Sequence, residues 1–223
     1  MKKDNMIITE FSKLYTSAVS DVLLQYGIKG TMDSGIKPLF DNIKICGRAY
    51  TIKATPIKKE IKTVDEEAKE NCKPGDIIII DGSNNMKQTF WGDNSTTAVR
   101  MRGAIGSIID GGCRDVKEIK EIKFPTYCRY IGPGTSKNEV QITGYNIPIT
   151  CGGINVNPKD IILGDDDGIV VIPNEKEKEI LNKTKIYAKA DKEVAEALEK
   201  GQTVKQAYEI RKTMMRNIFN QWE

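Results

Sequence analysis

The chain has 223 residues, 39% hydrophobic and 29% charged, a length that suits one large α/β domain with a terminal extension or at most two small domains. Its 34 basic and 31 acidic residues leave a net charge of +3, and the lysines alternate with glutamates instead of forming one stripe, so nucleic-acid binding is not indicated. No apolar run reaches the roughly 18 residues needed to cross a membrane, and the run after Met1-Lys2-Lys3-Asp4-Asn5 is too short for a signal peptide, which makes the cytoplasm the expected location.

In chain order, residues 9–27 read as a helix broken into two pieces by Thr16, Ser17 and Ser20-Asp21, with Val19, Val22, Leu23 and Tyr26 on its apolar face and Gly27 as its stop. Residues 46–54 alternate as a strand, 64–71 form a short helix before the turn Pro74-Gly75-Asp76, and 77–81 are apolar enough for a strand buried on both faces. Residues 95–102 are helical, with Ser95 as N-cap and Gly103 as stop, and 104–109 form a second buried strand. A helix over 116–123 begins directly after Arg114-Asp115. Strand, turn, helix, repeated, is the rhythm of a parallel α/β layer with its sites at the carboxyl ends of the strands. Shorter β segments follow, broken by Gly132-Pro133-Gly134, Gly152-Gly153 and Asn157-Pro158-Lys159-Asp160, and residues 169–172 are the last strand. Beyond Pro173 come two charged amphipathic helices, 175–200 and 203–222, read as a packing or oligomer arm; the expected division is residues 1–174 and 175–223.

Two segments carry the chemistry: Trp91-Gly92-Asp93-Asn94-Ser95 and Asp110-Gly111-Gly112-Cys113-Arg114-Asp115. Each reads as a glycine-containing turn opening a helix, so free amides and the helix dipole would favour an anion there. The amides of Asn94 and Ser95 suit a carboxylate, Arg114 adds a two-point guanidinium grip, and Asp93 and Asp115 suit a shared divalent cation. There is no histidine, which excludes Ser-His-Asp and Cys-His catalysis and leaves hard oxygen ligands, hence Mg²⁺ or Mn²⁺ over Zn²⁺. The competing reading is plain helix capping, by Asp115 with Glu118 three residues on and by Asp93-Asn94-Ser95.

Weaker candidates are Cys113 as a nucleophile lowered by Arg114, Lys53 or another lysine as a Schiff-base former, and Gly164-Asp165-Asp166-Asp167-Gly168 as a cation loop rather than an acidic turn. Five widely spaced cysteines argue against both a disulfide framework and a zinc ribbon.

In order and spacing, Val19-Ser20-Asp21, Gly47-Arg48-Ala49, Pro74-Gly75-Asp76, Gly92-Asp93, Asp110 to Asp115, Cys151-Gly152-Gly153 and Asp165 to Pro173 resemble the family of 4-hydroxy-4-methyl-2-oxoglutarate aldolase and the regulator of ribonuclease E activity A. The family's signature is an aspartate, twenty residues, Arg-Asp, two residues, then an acid; it reads here as Asp93, Arg114-Asp115 and Glu118. The resemblance implies an α-β-β-α sandwich core, a trimer or hexamer with sites between subunits, and a class II pyruvate aldolase that needs a divalent metal and also decarboxylates oxaloacetate. By the same resemblance Asp115 binds Mg²⁺, Asp93 holds a metal-bound water, Arg114 grips the pyruvyl carboxylate beside Gly92, and the Asn94 and Ser95 amides complete that carboxylate site. Glu193 is the match for a neighbouring subunit's glutamate in the metal's water shell. The aldolases often carry Leu-Leu where this chain has Asn94-Ser95, which leaves the substrate open within the small 2-oxo acids. The resemblance equally admits a regulator that binds a ribonuclease or helicase.

Overall fold

The computed structural model describes residues 2–57, 62–82, 88–216 and 218–219. Its frame is a mixed sheet in which β2 (Ile45–Pro56), β3 (Asp76–Asp81), β5 (Gly106–Cys113) and β6 (Thr126–Ile131) run parallel. Such strands are buried on both faces, and β3 reads as that environment demands: Ile77, Ile78, Ile79 and Ile80 are all buried. Outer strands complete the sheet by antiparallel pairing: β1 (Lys37–Pro38) on β6, β7 (Val140–Tyr145) on β2, and β10 (Ile161–Gly164) on β2 with β11 (Ile169–Ile172) beyond it. The three-residue β4 (Thr89–Trp91) pairs in parallel with the end of β5.

The sheet curls. Tyr127 of β6 shares one core with Ile162 of β10 and Val171 of β11, although β6 and β11 lie towards opposite ends of the strand order, and its hydroxyl donates to the Asp165 carbonyl at 3.1 Å. Inside the curl sits the hairpin of β8 (Ile149–Cys151) and β9 (Ile154–Val156), turned by Gly152 and Gly153 at φ 56° and 72°, left-handed values that favour glycine. Outside one half of the sheet lie α3 (Asp65–Glu70), α4 (Asp93–Met101) and α5 (Val116–Glu121); outside the other lie α1 (Lys2–Phe11), α2 (Thr16–Gln25), α6 (Glu177–Glu199) and α7 (Val204–Arg216). Helix, sheet, sheet and helix are thus the α-β-β-α layers of an α/β fold with a C-terminal helical extension. The extension docks on its own chain: Ile180, Leu181, Tyr187 and Ala190 of α6 join the core of α1 and α2.

Several boundaries differ from the expected ones. The first helix divides at residues 12–15, because α2 begins where Thr16 gives its amide and hydroxyl to the Asp165 carboxylate at 2.8 and 2.7 Å, a cap supplied from far along the chain. The last helix ends at Arg216, and residues 217 and 220–222 of the expected span lie outside the described residues. Asp110 to Cys113, expected as a turn, continues β5 and is fully buried; Gly112 is needed there because a Cβ would stand 2.6 Å from the Tyr130 ring. No described helix is long and apolar enough to cross a membrane.

Asp110 pins the inner hairpin to the sheet. Its buried carboxylate accepts from Arg129 Nε and from the Gly152 amide at 2.7 Å, while Arg129 Nη1 reaches Asp33 at 2.8 Å. Removing one partner of a buried pair leaves the other uncompensated. Asp110→Ala is therefore expected to cost about 3 kcal/mol in urea unfolding, and Asp110→Asn, which keeps an acceptor for Gly152, clearly less.

Candidate active site

β4 and β5 end side by side, with Trp91 paired to Cys113 and the Arg114 amide donating to the Trp91 carbonyl at 3.0 Å. The next residues on each strand therefore meet: Gly92-Asp93 from β4 and Arg114-Asp115 from β5. Asp93 is the first residue of α4, so the helix starts two residues before the expected Ser95 cap, and its N-cap is Gly92. Asp115 precedes α5 with φ 53° and ψ 38°, a left-handed conformation that aspartate tolerates better than most residues.

The expected cap of α5 by Asp115 is not formed. The Asp115 side chain makes no cap bond to α5; its Oδ2 instead accepts from the Asp93 amide at 3.3 Å and lies 3.4 Å from Arg114 Nε. The same oxygen lies so close to Gly92 that a Cβ there would overlap it and would also sit 3.3 Å from Arg114 Cγ. Gly92 is extended, so its need for glycine is a matter of space and not of backbone strain. Asp93 Oδ1 accepts the Asn94 amide at 2.7 Å, so of the two amides expected to hold a carboxylate one is engaged by Asp93 in this conformation.

Gly92, Asp93, Asn94, Ser95, Arg114 and Asp115 all line one cleft of about 310 Å³, large enough for a small metabolite. Phe90, Trp91, Val140 and Ile142 give it apolar surface, and Asp65, Lys69, Thr135, Ser136 and Lys137 add polar walls. The Arg114 side chain is 44% exposed, and its Nη1 touches the Gly134 carbonyl at 3.5 Å, so the guanidinium stays open to an incoming anion. Among the described residues no cluster of three or more His, Cys, Asp or Glu is found. Asp93 and Asp115 as a pair fit a hard cation that keeps much of its water, as Mg²⁺ does, and do not fit a structural zinc.

The remaining candidates fall elsewhere. Glu193 lies on α6, does not line the cleft of its own chain, and approaches Lys189 at 3.8 Å. Glu118 is in the first turn of α5 and outside the cleft lining. Lys53 is paired with the buried Asp81 at 2.5 Å. Cys113 is fully buried, and a thiol hydrogen bond with Cys128 together with that burial pushes it above the ordinary thiol range, the opposite of an activated nucleophile. In the acidic turn, Asp165 accepts from Thr16 and Asp167, and Asp166 from the amides of Asn42 and Ile43 at 3.2 and 3.1 Å, so both serve the backbone. Sequence reasoning missed Lys137 and its neighbours Thr135 and Ser136, because one lysine among 34 basic residues carries no local signature.

Known proteins resemble this chain in sequence and in fold. Protein DlpA of Legionella pneumophila is 33% identical over 196 residues, 87% of this chain, which spans 32% of that protein's length. A Halalkalibacterium halodurans protein provisionally named 4-hydroxy-4-methyl-2-oxoglutarate aldolase is 34% identical over 85% of this chain and 86% of its own. The solved structure of Streptomyces coelicolor RraAS2, described as an unusual member of the RNase ES inhibitor RraA protein family, superposes with a TM-score of 0.80 at 25% identity, covering 85% of this chain and 96% of that one. With residues 16–171 matching the RraA-like family described as Aldolase/RraA, the chain belongs to that family.

Proposed function

We propose that this protein is a class II, divalent-metal-dependent pyruvate aldolase that cleaves a 4-hydroxy-2-oxo acid such as 4-hydroxy-4-methyl-2-oxoglutarate, with oxaloacetate decarboxylation as a side activity. The observation that carries the reading is the convergence of Arg114-Asp115 on Gly92-Asp93, with the Asp115 carboxylate filling the space a side chain at Gly92 would take. Asp115 does not cap its own helix α5; its carboxylate turns instead towards the start of α4 and the cleft.

Asp115, with Asp93 through water, would hold Mg²⁺ or Mn²⁺. Bound there, the cation would supply Lewis acidity towards the 2-oxo group. Arg114 binds the C1 carboxylate in a planar two-point grip, fixing which carbon–carbon bond faces the carboxylates. Asp93, through a water it orients, accepts the C4 hydroxyl proton; C4 becomes a carbonyl, the C3–C4 electrons pass into the enolate, and the proton returns to C3 to give pyruvate. Oxaloacetate reaches the same enolate by loss of CO₂, so it needs no further residue. No lysine takes a covalent role, and Lys53 lies outside the cleft.

The assembly belongs to the same proposal. Glu193 is remote from its own cleft, so its place in the water shell requires another copy of the chain, in a trimer or hexamer. Ile131, 61% exposed, stands with Pro133 beside Arg114 and Asp115, an apolar edge suited to a subunit contact. The competing regulator role, suggested by the name of the Streptomyces relative, needs none of the cleft's geometry.

Purified protein with Mg²⁺ or Mn²⁺ is expected to decarboxylate oxaloacetate faster than the metal alone, to lose that activity in EDTA, and to form no adduct with pyruvate and borohydride. Activity that persists in EDTA together with such an adduct would replace the mechanism with a Schiff-base one. Gly92→Ala should fold normally by circular dichroism but turn over about 100-fold more slowly, since the methyl group displaces the Asp115 carboxylate. Arg114→Lys should chiefly raise KM, because an ammonium lacks the planar grip. Light scattering should give three or six times the 24.9 kDa chain mass, and a monomer would remove Glu193 from the site.

A further inference from the structure

One wall of the cleft has no part in bond cleavage: the segment after Gly132-Pro133-Gly134, where Thr135, Ser136 and Lys137 face the same space as Arg114. This wall is tied to the centre. The Gly134 carbonyl accepts from Arg114 Nη1 and from Thr89 Oγ1, so loop and guanidinium share an anchor. The loop also has its own shape: the Ser136 carbonyl accepts the amides of Glu139 and Val140 at 3.0 and 2.9 Å, and the Lys137 amide donates to Thr135 Oγ1 at 3.2 Å.

The charges that line the cleft among the described residues are three carboxylates, Asp65, Asp93 and Asp115, and three cations, Lys69, Arg114 and Lys137. Lys69 and Asp65 neutralise each other at 2.6 Å. Asp93 and Asp115 are assigned to the cation and Arg114 to the C1 carboxylate. Lys137 remains, an exposed ammonium with no acidic side chain in ion-pair range among the described residues. It lies three positions after Gly134, at most about 11 Å of extended chain, and its four-carbon stem can shorten that gap. The carboxyl carbons of an extended five-carbon 2-oxo diacid lie on the order of 5 Å apart. With a divalent cation bound, the described lining carries two excess positive charges; a dianionic substrate cancels them and a monoanion leaves one.

We propose that Lys137 is the specificity-determining residue of this cleft: it binds a second carboxylate beyond the scissile bond and so selects 4-hydroxy-2-oxo diacids over their monocarboxylate analogues. Thr135 and Ser136 add hydroxyl donors beside the ammonium. The inference rests on the aldolase reading for the placement of the first carboxylate on Arg114.

The test compares wild type with Lys137→Ala and Lys137→Glu on 4-hydroxy-4-methyl-2-oxoglutarate and on 4-hydroxy-2-oxopentanoate, with Mg²⁺ present. The ratio of kcat/KM for the diacid over the monoacid should fall about tenfold in Lys137→Ala, mostly through KM, and further in Lys137→Glu. An unchanged ratio, or an equal fall on both substrates, overturns the proposal. Calorimetry with 2-oxoglutarate and 2-oxobutyrate needs no turnover: wild type should bind the diacid about tenfold more tightly, and Lys137→Ala should lose that preference. A Lys137-dependent preference without pyruvate release from either hydroxy acid would leave the subsite standing and sink the aldolase reading. Cleavage of both hydroxy acids without discrimination would do the reverse, and failure to bind either 2-oxo acid would overturn both.

Discussion

The contact between the Asp115 carboxylate and Gly92 is the constraint on which the site depends. Two parallel strands must end together for it to form, since β4 delivers Gly92 and β5 delivers Asp115, and the Trp91–Cys113 pairing sets that register. Asp115 must also take a left-handed backbone, which turns its carboxylate back over the strand ends instead of along α5. Such a conformation costs free energy in a residue other than glycine and persists where its surroundings hold it, typically at functional sites. The Asp93 amide, which donates to Oδ2, and the Arg114 guanidinium, whose Nε lies 3.4 Å from it, supply that hold.

The chemistry available is narrowed by what surrounds this contact. Two carboxylates and an arginine, in a chain without histidine, would on the proposed reading leave acid–base work to aspartate and water and charge stabilisation to a bound cation and the guanidinium. The apolar side of the cleft, with Phe90 and Trp91, lowers the local dielectric and strengthens each of these interactions.

Much of this was legible in the residues because it is local or periodic. The isoleucine run of β3, the glycine stop at Gly103 with φ 91°, and the spacing from Asp93 to Arg114-Asp115 each announce themselves within a short window. What escaped was set by distant contacts. β4 is too short to show a period, and it exists because β5 pairs with it. Asp110 to Cys113 looks like a turn by composition, yet it extends as strand because it pairs with β4 and β6, and its glycine is there to admit the Tyr130 ring. The start of α2 depends on Asp165, and the Lys137 wall depends on Gly134 resting on Arg114, pairings no local pattern encodes. Glycine composition thus indicated where the backbone is crowded, but not whether the cause was a turn or a neighbour.

Asp115→Asn tests the central claim most directly, because asparagine tolerates the same left-handed backbone and keeps a side-chain acceptor for the Asp93 amide, while giving up the negative charge. Pyruvate release from a 4-hydroxy-2-oxo acid with Mg²⁺, followed alongside thermal unfolding, should show turnover reduced by about 100-fold or more, with stability changed by only on the order of 1 kcal/mol. Full metal-dependent turnover in that variant would contradict the account at its central residue and leave the regulator reading as the better one.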